Sequence, residues 1–264
     1  MNLGNKKSNL LILLAVFIVG GCGNFSGNYE EIESSTSSDT TTSSDSTASF
    51  VAVGGDGTIL TSSDLTTWTS RTSGTSNSLN GVTFGKYSYV AVGDNGTILT
   101  SPYGITWTSR TSGTSNSLSE VTSTKGFNFQ YAHSTFVAVG DNGTILTTAN
   151  DSSFGNTWTS RTSGTYNSLS EITYGDSVYM TVGANGQIRT SFDGITWVGR
   201  SSGTSTDLSG ITFANYHPPN NNSSFVAVGL GGTILTSLAQ SYVVERTSGT
   251  TINLQGVAYY ALPF

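Results

Sequence analysis

The chain has 264 residues, a formal net charge of −6, 10% charged residues, 32 glycines and a single cysteine. The acidic balance supplies no basic patch of the kind that nucleic acid requires. One cysteine excludes an internal disulfide framework, and two histidines without companion cysteines make no zinc-ligand set. Neither a metal nor a cofactor is therefore expected. Aromatic residues at 11% and regular apolar runs argue against wholesale disorder. Abundant Ser, Thr, Gly and β-branched residues, with no helix-period segment, predict an all-β chain.

Residues 1–21 read as an export signal. Lys6 and Lys7 precede an uninterrupted apolar run from Leu10 to Val19, which is too short to span a bilayer as a helix. The run ends in Val19-Gly20-Gly21-Cys22, which resembles the lipobox of bacterial lipoproteins. The resemblance implies that Cys22 is acylated and becomes the mature N-terminus, held to a membrane by its acyl chains. Gly23 follows in place of an acidic retention residue, which points to the outer membrane of a bacterial envelope. Residues 22–49 then read as a flexible Ser/Thr-rich tether that cannot bury apolar surface. A chain of this length spans roughly 30 Å on average.

From Phe50 to the C-terminus the sequence repeats. Val51-Ala52-Val53-Gly54 recurs at Val90–Gly93, Val137–Gly140, Met180–Gly183 and Val226–Gly229, at steps of about 39 to 47 residues. Such a period marks a propeller or a solenoid. Each unit holds four short β-like pieces; in the second unit they are Gly81–Phe84, Tyr89–Val92, Thr97–Thr100 and Thr106–Arg110. Asp94-Asn95-Gly96 separates the second from the third, and Asn-Gly supplies positive φ for a tight hairpin turn. Four strands in a meander make a propeller blade. The repeats open on a second strand, Phe50–Val53, while the C-terminal Leu254–Tyr259 matches the first strand Leu79–Phe84. The expectation is a five-bladed β-propeller over residues 50–264, made of four-stranded antiparallel blades. Pairing of the C-terminal strand with the first blade would close it.

Ser191-Phe192-Asp193-Gly194-Ile195-Thr196-Trp197 resembles the Asp-box of the bacterial neuraminidase repeat families. Together with the preceding Val-Gly and Gly-x-Ile stretches, it is also similar to the repeats of the photosystem II assembly factor. The resemblance implies a structural role for Asp64, Asp193, Trp68, Trp107, Trp158 and Trp197. Asp and Ser would hold a turn, and each Trp would anchor it.

Candidate functional residues fall into four groups. Asp56, Asp94, Asn95, Asp141, Asn142 and Asn185 sit at the second-to-third turns and are candidates for ligand binding. Tyr131 and Tyr216 lie in long insertions on the opposite face and are candidates for recognition. Glu120 and Glu171 replace the glycine found at Gly81, Gly210 and Gly256. They are the candidate acid pair of a glycosidase, a pair that could instead bind a cation, or merely two acids in the channel. Arg71, Arg110, Arg161, Arg200 and Arg246 share one repeat position at the blade rim. A ring there cannot converge on one substrate carboxylate, so salt bridging at the blade edge or backbone capping is expected. Arg189 stands where other repeats have leucine and is expected to pair locally with Asp176 or Asp193.

The principal expectation is a lipid-anchored, non-catalytic interaction domain, monomeric, that binds a protein or a glycan at the envelope. The alternatives are a glycoside hydrolase using Glu120 and Glu171, and an assembly factor for a membrane complex.

Overall fold

The computed structural model describes residue 48 and residues 50–85, 87–124, 135–148, 155–214, 224–238 and 243–259. Each repeat is an antiparallel meander. The first sheet holds β1 (Phe50–Val53), β2 (Ile59–Ser62) and β3 (Thr69–Arg71). The second holds β4 (Leu79–Gly85), β5 (Ser88–Gly93), β6 (Thr97–Ser101) and β7 (Thr108–Arg110). The third holds β8 (Leu118–Ser123), β9 (Phe136–Gly140), β10 (Ile145–Thr148) and β11 (Trp158–Arg161). The fourth holds β12 (Leu169–Gly175), β13 (Val178–Gly183), β14 (Gln187–Ser191) and β15 (Val198–Arg200). The fifth holds β16 (Leu208–Ala214), β17 (Ser224–Gly229), β18 (Ile234–Leu238) and β19 (Val243–Arg246). Among the described residues no helix is long and apolar enough to cross a membrane.

The turn between second and third strands follows its sequence closely. Asn95 and Gly96 both take positive φ, at 54° and 67°. The loop is one residue longer than a two-residue hairpin: Gly93 pairs with Thr97, and Asp94-Asn95-Gly96 forms a single 3-10 turn between them. Gly96 is required twice over. Its φ is left-handed, and a Cβ there would collide with the Thr114 carbonyl oxygen.

The apolar core lies between blades, because each blade buries both faces. One cluster joins Ile59 and Leu79 with Ala91 and Trp107, across blades one and two. A second joins Val90 and Ile98 with Leu118 and Trp158, across blades two and three. A third joins Val137 and Ile145 with Leu169 and Trp197, and a fourth joins Val178 and Ile188 with Leu208 and Leu235. The third-to-fourth turns of blades two, three and four wedge into the seams before them. Gly194 packs on Val137 and Tyr179, and Gly104 packs on Ala48 and Val51 of the preceding repeat.

At the two ends, the described residues show part of the expected arrangement and no closing ladder. The C-terminal segment takes the place of a next first strand beside blade five. Leu254 N–H donates to Gly229 O at 3.0 Å, as Leu79 N–H donates to Gly54 O at 3.0 Å. A Cβ on Gly210 would lie 2.9 Å from Gly256 Cα, just as one on Gly81 would lie 2.9 Å from Glu120 Cα. Beyond that seat the pattern stops. Among the described residues, no ladder joins this segment to β1, so blade one is three-stranded. Gly54 and Gly256 face open space, β1 is half-buried where β5 is buried throughout, and Trp68 is 39% exposed. Among the described residues, Trp68 is less covered than Trp107, Trp158 and Trp197, which are buried in their seams.

Candidate functional site

Glu120 and Glu171 follow a β-bulge at the start of β8 and β12, which shifts the register between Leu118 and Glu120 and between Leu169 and Glu171. The matching bulges in β4 and β16 present Gly81 and Gly210 instead. Neighbouring first strands approach closely at this level. A Cβ on Gly81 would lie 2.7 Å from Glu120 Oε1, and one on Gly210 would lie 3.2 Å from Glu171 Oε2. Both carboxyls are half-buried and engaged with backbone. Glu120 Oε1 accepts the Val121 N–H, and Glu171 Oε2 accepts the Ile211 N–H of blade five, each at 2.8 Å. Burial pushes Glu120 up to about 8, the Val121 N–H opposes this, and the charge of Glu171 adds to it. Burial likewise pushes Glu171 up to about 7, against the Ile211 N–H. The structure thus brings the two acids within electrostatic reach. One of them serves as a staple between blades four and five.

The turn residues proposed for ligand binding brace the scaffold. Asn95 Nδ2 donates to Asn77 Oδ1 at 3.1 Å. The Asn142–Asn116 and Asn185–Asn167 pairs repeat the bond at 3.2 Å. Asn77 Nδ2 in turn donates to Thr97 Oγ1, whose hydroxyl donates to Asp94 O. Asp94 Oδ1 accepts from Asn80 Nδ2, and Asp141 Oδ1 accepts from Ser168 Oγ on the next link. These side chains tie each link between blades to the turn beside it. Asp56, at φ 54°, lines an open groove of about 550 Å³ on blade one, and a groove of about 620 Å³ lies on blade two.

The five rim arginines share one contact, and it is neither a salt bridge nor a backbone cap. The Nε–H of Arg71, Arg110, Arg161, Arg200 and Arg246 donates to the hydroxyl of Thr61, Thr100, Thr147, Thr190 and Thr236, at 2.7–3.0 Å. The threonine lies diagonally across the ladder on the third strand, two residues out of register, within reach of a guanidinium. Arg189 also departs from expectation. Its Nε–H donates to Gln187 Oε1 at 3.1 Å and its Nη2 to Gly164 O at 2.7 Å, so neither Asp176 nor Asp193 is its partner. Asp193 is occupied elsewhere. Its Oδ1 accepts the N–H groups of Ile195 and Thr196 and the hydroxyl of Ser191. Burial raises its pKa, but these donors outweigh burial and hold it down at about 2.

Asp64 makes the same turn with Thr66 and Thr67, whose N–H groups lower its pKa. Leu65 takes the glycine place at φ 64°. Trp107, Trp158 and Trp197 are buried, and each donates its indole N–H to the carbonyl of the turn glycine three residues before it. Tyr131, Tyr216 and Cys22 lie outside the described residues. At the ends of the blades that carry the first-to-second and third-to-fourth turns, Phe84, Tyr87, Tyr103 and Phe192 are 46–67% exposed. Sequence reasoning missed this aromatic set because Tyr87, Tyr103 and Phe192 sit at turns and Phe84 near the end of β4, where composition carries no burial signal. The chain enters blade one at this face. Ala48 N–H donates to Tyr103 O, and Tyr89 Oη donates to Ala48 O. Among the described residues no three His, Cys, Asp or Glu side chains cluster as metal ligands would.

No family model matches the chain, and no curated protein matches it. Solved structures do. A structure described as YCF48 bound to D1 peptide superposes with a TM-score of 0.55 at 20% identity, over 75% of this chain and 63% of that one. YCF48 from Cyanidioschyzon merolae gives a TM-score of 0.48 at 15% identity, over 69% of this chain and 59% of that one. The chain therefore spans somewhat under two thirds of the length of these structures. The first likeness bears on fold: the chain is an all-β protein of propeller blades.

Proposed function

We propose that the chain is a non-catalytic propeller that binds a protein partner through its aromatic face. The observation that carries this is the exposure of Phe84, Tyr87, Tyr103 and Phe192 at one end of the blades. Exposed aromatic side chains on a rigid scaffold are the anchors that protein interfaces favour. The polar groups on the other face are used as braces, and Glu171 is used as a staple. A neighbour of this fold was solved with a D1 peptide bound, which supports protein binding, with assembly of a membrane complex as its setting.

In this reading Cys22 carries the lipid anchor and residues 22–49 tether the propeller to a bacterial envelope membrane, the outer one. The chain then enters at the aromatic face, beside Tyr103, and turns that face toward the membrane and a partner there. The C-terminal strand completes blade one and closes the ring. The test combines Tyr103→Ala with Phe192→Ala. The pair should abolish co-purification of a defined membrane protein while leaving the thermal midpoint within a few degrees. Unchanged co-purification would refute the assigned face. Cys22→Ala should move the protein from the membrane fraction to the soluble one.

A further inference from the structure

We infer that blade two is the protein's contact with the lipid surface, and that Tyr87 and Tyr103 sit in the headgroup layer of a neutral membrane. The repeats single out this end of blade two. Its aromatic stack has a twin in blade four. The rings of Phe84, Tyr89 and Trp107 follow at 4.7 and 6.4 Å, and those of Tyr174, Tyr179 and Trp197 at 4.7 and 6.3 Å. The turns around the two stacks differ. Where blade four carries Ser177 and Asp193, blade two carries Tyr87 and Tyr103. Both tyrosines are exposed, at 60% and 63%, so neither fills the core. Each costs the fold something. Tyr87 closes a two-residue hairpin between Gly85 and Ser88 at φ 65°, a left-handed position that suits glycine or asparagine and penalises a bulky side chain. Tyr103 removes the acid of the third-to-fourth turn. In blades one and four that acid accepts the hydroxyl of Ser62 or Ser191. In blade two the matching Ser101 Oγ is buried with no hydrogen-bond partner among the described residues, which is unfavourable. The turns at the opposite end keep to the rule, with Asp56, Asn95, Asn142, Asn185 and Gly231 at their left-handed positions. Two exposed tyrosines held against local preference on one blade mark a contact surface.

The point where the chain enters identifies the occupant. Ala48 is pinned to this end of blade two. Its N–H donates to Tyr103 O, its carbonyl accepts the Tyr89 hydroxyl, and Gly104 packs on its Cβ. The inference rests on the proposed function for what precedes Ala48, namely acyl chains on Cys22 and a tether from there. A tether of that length spans roughly 30 Å, so the end of blade two is held close to the bilayer. Tyrosine suits the place because its ring is apolar while its hydroxyl stays wet, and it concentrates at membrane interfaces for that reason. Phe84, 46% exposed, adds apolar area beside the stack. Charge fits a neutral surface. The five rim arginines end the fourth strands at the opposite end of the blades. No charged residue is described on blade two at this end, Lys86 lying outside the described residues. Two tyrosines alone hold a protein on lipid only weakly, so the acyl chains supply the attachment and the tyrosines the orientation. The aromatic face is thereby divided. Blade two meets lipid, and Phe192 on blade four is left to the protein partner.

The test puts a nitrobenzoxadiazole dye on Pro102→Cys, and separately on Thr111→Cys at the other end of blade two, in the full chain with its anchor on phosphatidylcholine vesicles. Both positions are exposed. The dye at 102 should shift to the blue and be quenched by brominated lipid, and the dye at 111 should do neither. Tyr87→Ser with Tyr103→Asp gives blade two the residues of blade four. This pair should lose at least about half of the quenching at 102. Its thermal midpoint should hold or rise, because Ser101 regains an acceptor. The inference is overturned by no quenching at 102, by equal quenching at 102 and 111, or by full quenching in the double variant. Shielding of 102 in native membranes but not on pure lipid would overturn it in favour of a protein. A blue shift that grows with protein concentration before vesicles are added would overturn it in favour of a second copy. Dye stoichiometry reads the anchor separately. One dye per chain means a blocked Cys22, and two mean a free one, which removes the anchor reading. The second dye is common to both labelled chains, so the difference between 102 and 111 still decides the inference.

Discussion

Glu120 and Glu171 are acids that the fold keeps partly out of water. Burial raises both, Glu120 to about 8 and Glu171 to about 7, from an ordinary value of 4.5. The native chain therefore holds protons that the unfolded chain has already released between those values. Their stabilising effect is complete below about pH 4.5 and is lost as pH rises through 7 and 8. The thermal midpoint should fall by several degrees between pH 5 and pH 9, and Glu120→Gln should flatten that slope. An unchanged slope in the variant would remove Glu120 as its cause. At the same scale, the sequence flagged these residues correctly as exceptions to a glycine position. It did not show that Glu171 would bond the Ile211 N–H, because that contact depends on the register of two neighbouring blades.

At the scale of the element, strand positions and turn residues were readable because period-two patterning and Asp-Asn-Gly are local signals. The bracing role of turn residues such as Asn95, Asn142 and Asp141 is not a local signal, for the converse reason. Their partners, Asn77, Asn116 and Ser168, lie on links 18 to 27 residues away. The arginine–threonine pairs were missed on similar grounds, since a diagonal contact needs the ladder register. Gly96→Ala should cost about 2–4 kcal/mol in chemical denaturation, since it adds left-handed strain to a collision with the Thr114 carbonyl. Asn95→Ala should cost about 1–2 kcal/mol through the same left-handed φ and the lost Asn77 bond. Equal and negligible losses would mean that the turn relaxes and that the brace carries no weight.

For the whole molecule, the order of blades was legible from the repeats, and the way the two ends meet was not. The C-terminal Leu254–Tyr259 matches a first strand in sequence and takes a first strand's seat on blade five, yet the ladder to β1 is absent among the described residues. Closure depends on the sum of all the angles between blades, which no local motif encodes. If the ring closes, the amides of Val257 and Tyr259 should exchange as slowly as those of Val82 and Phe84, their counterparts in blade two. Trp68→Ala and Trp197→Ala should then each cost about 3–4 kcal/mol. Fast exchange together with a cost near 1 kcal/mol would mean an open ring.

Binding through the aromatic face is tested most directly by a photo-crosslinking amino acid placed singly at Phe192 and at Asn95 in living cells. The account predicts one discrete adduct with a membrane protein from position 192 and none from position 95. An adduct from position 95 alone, or none from either, would contradict it.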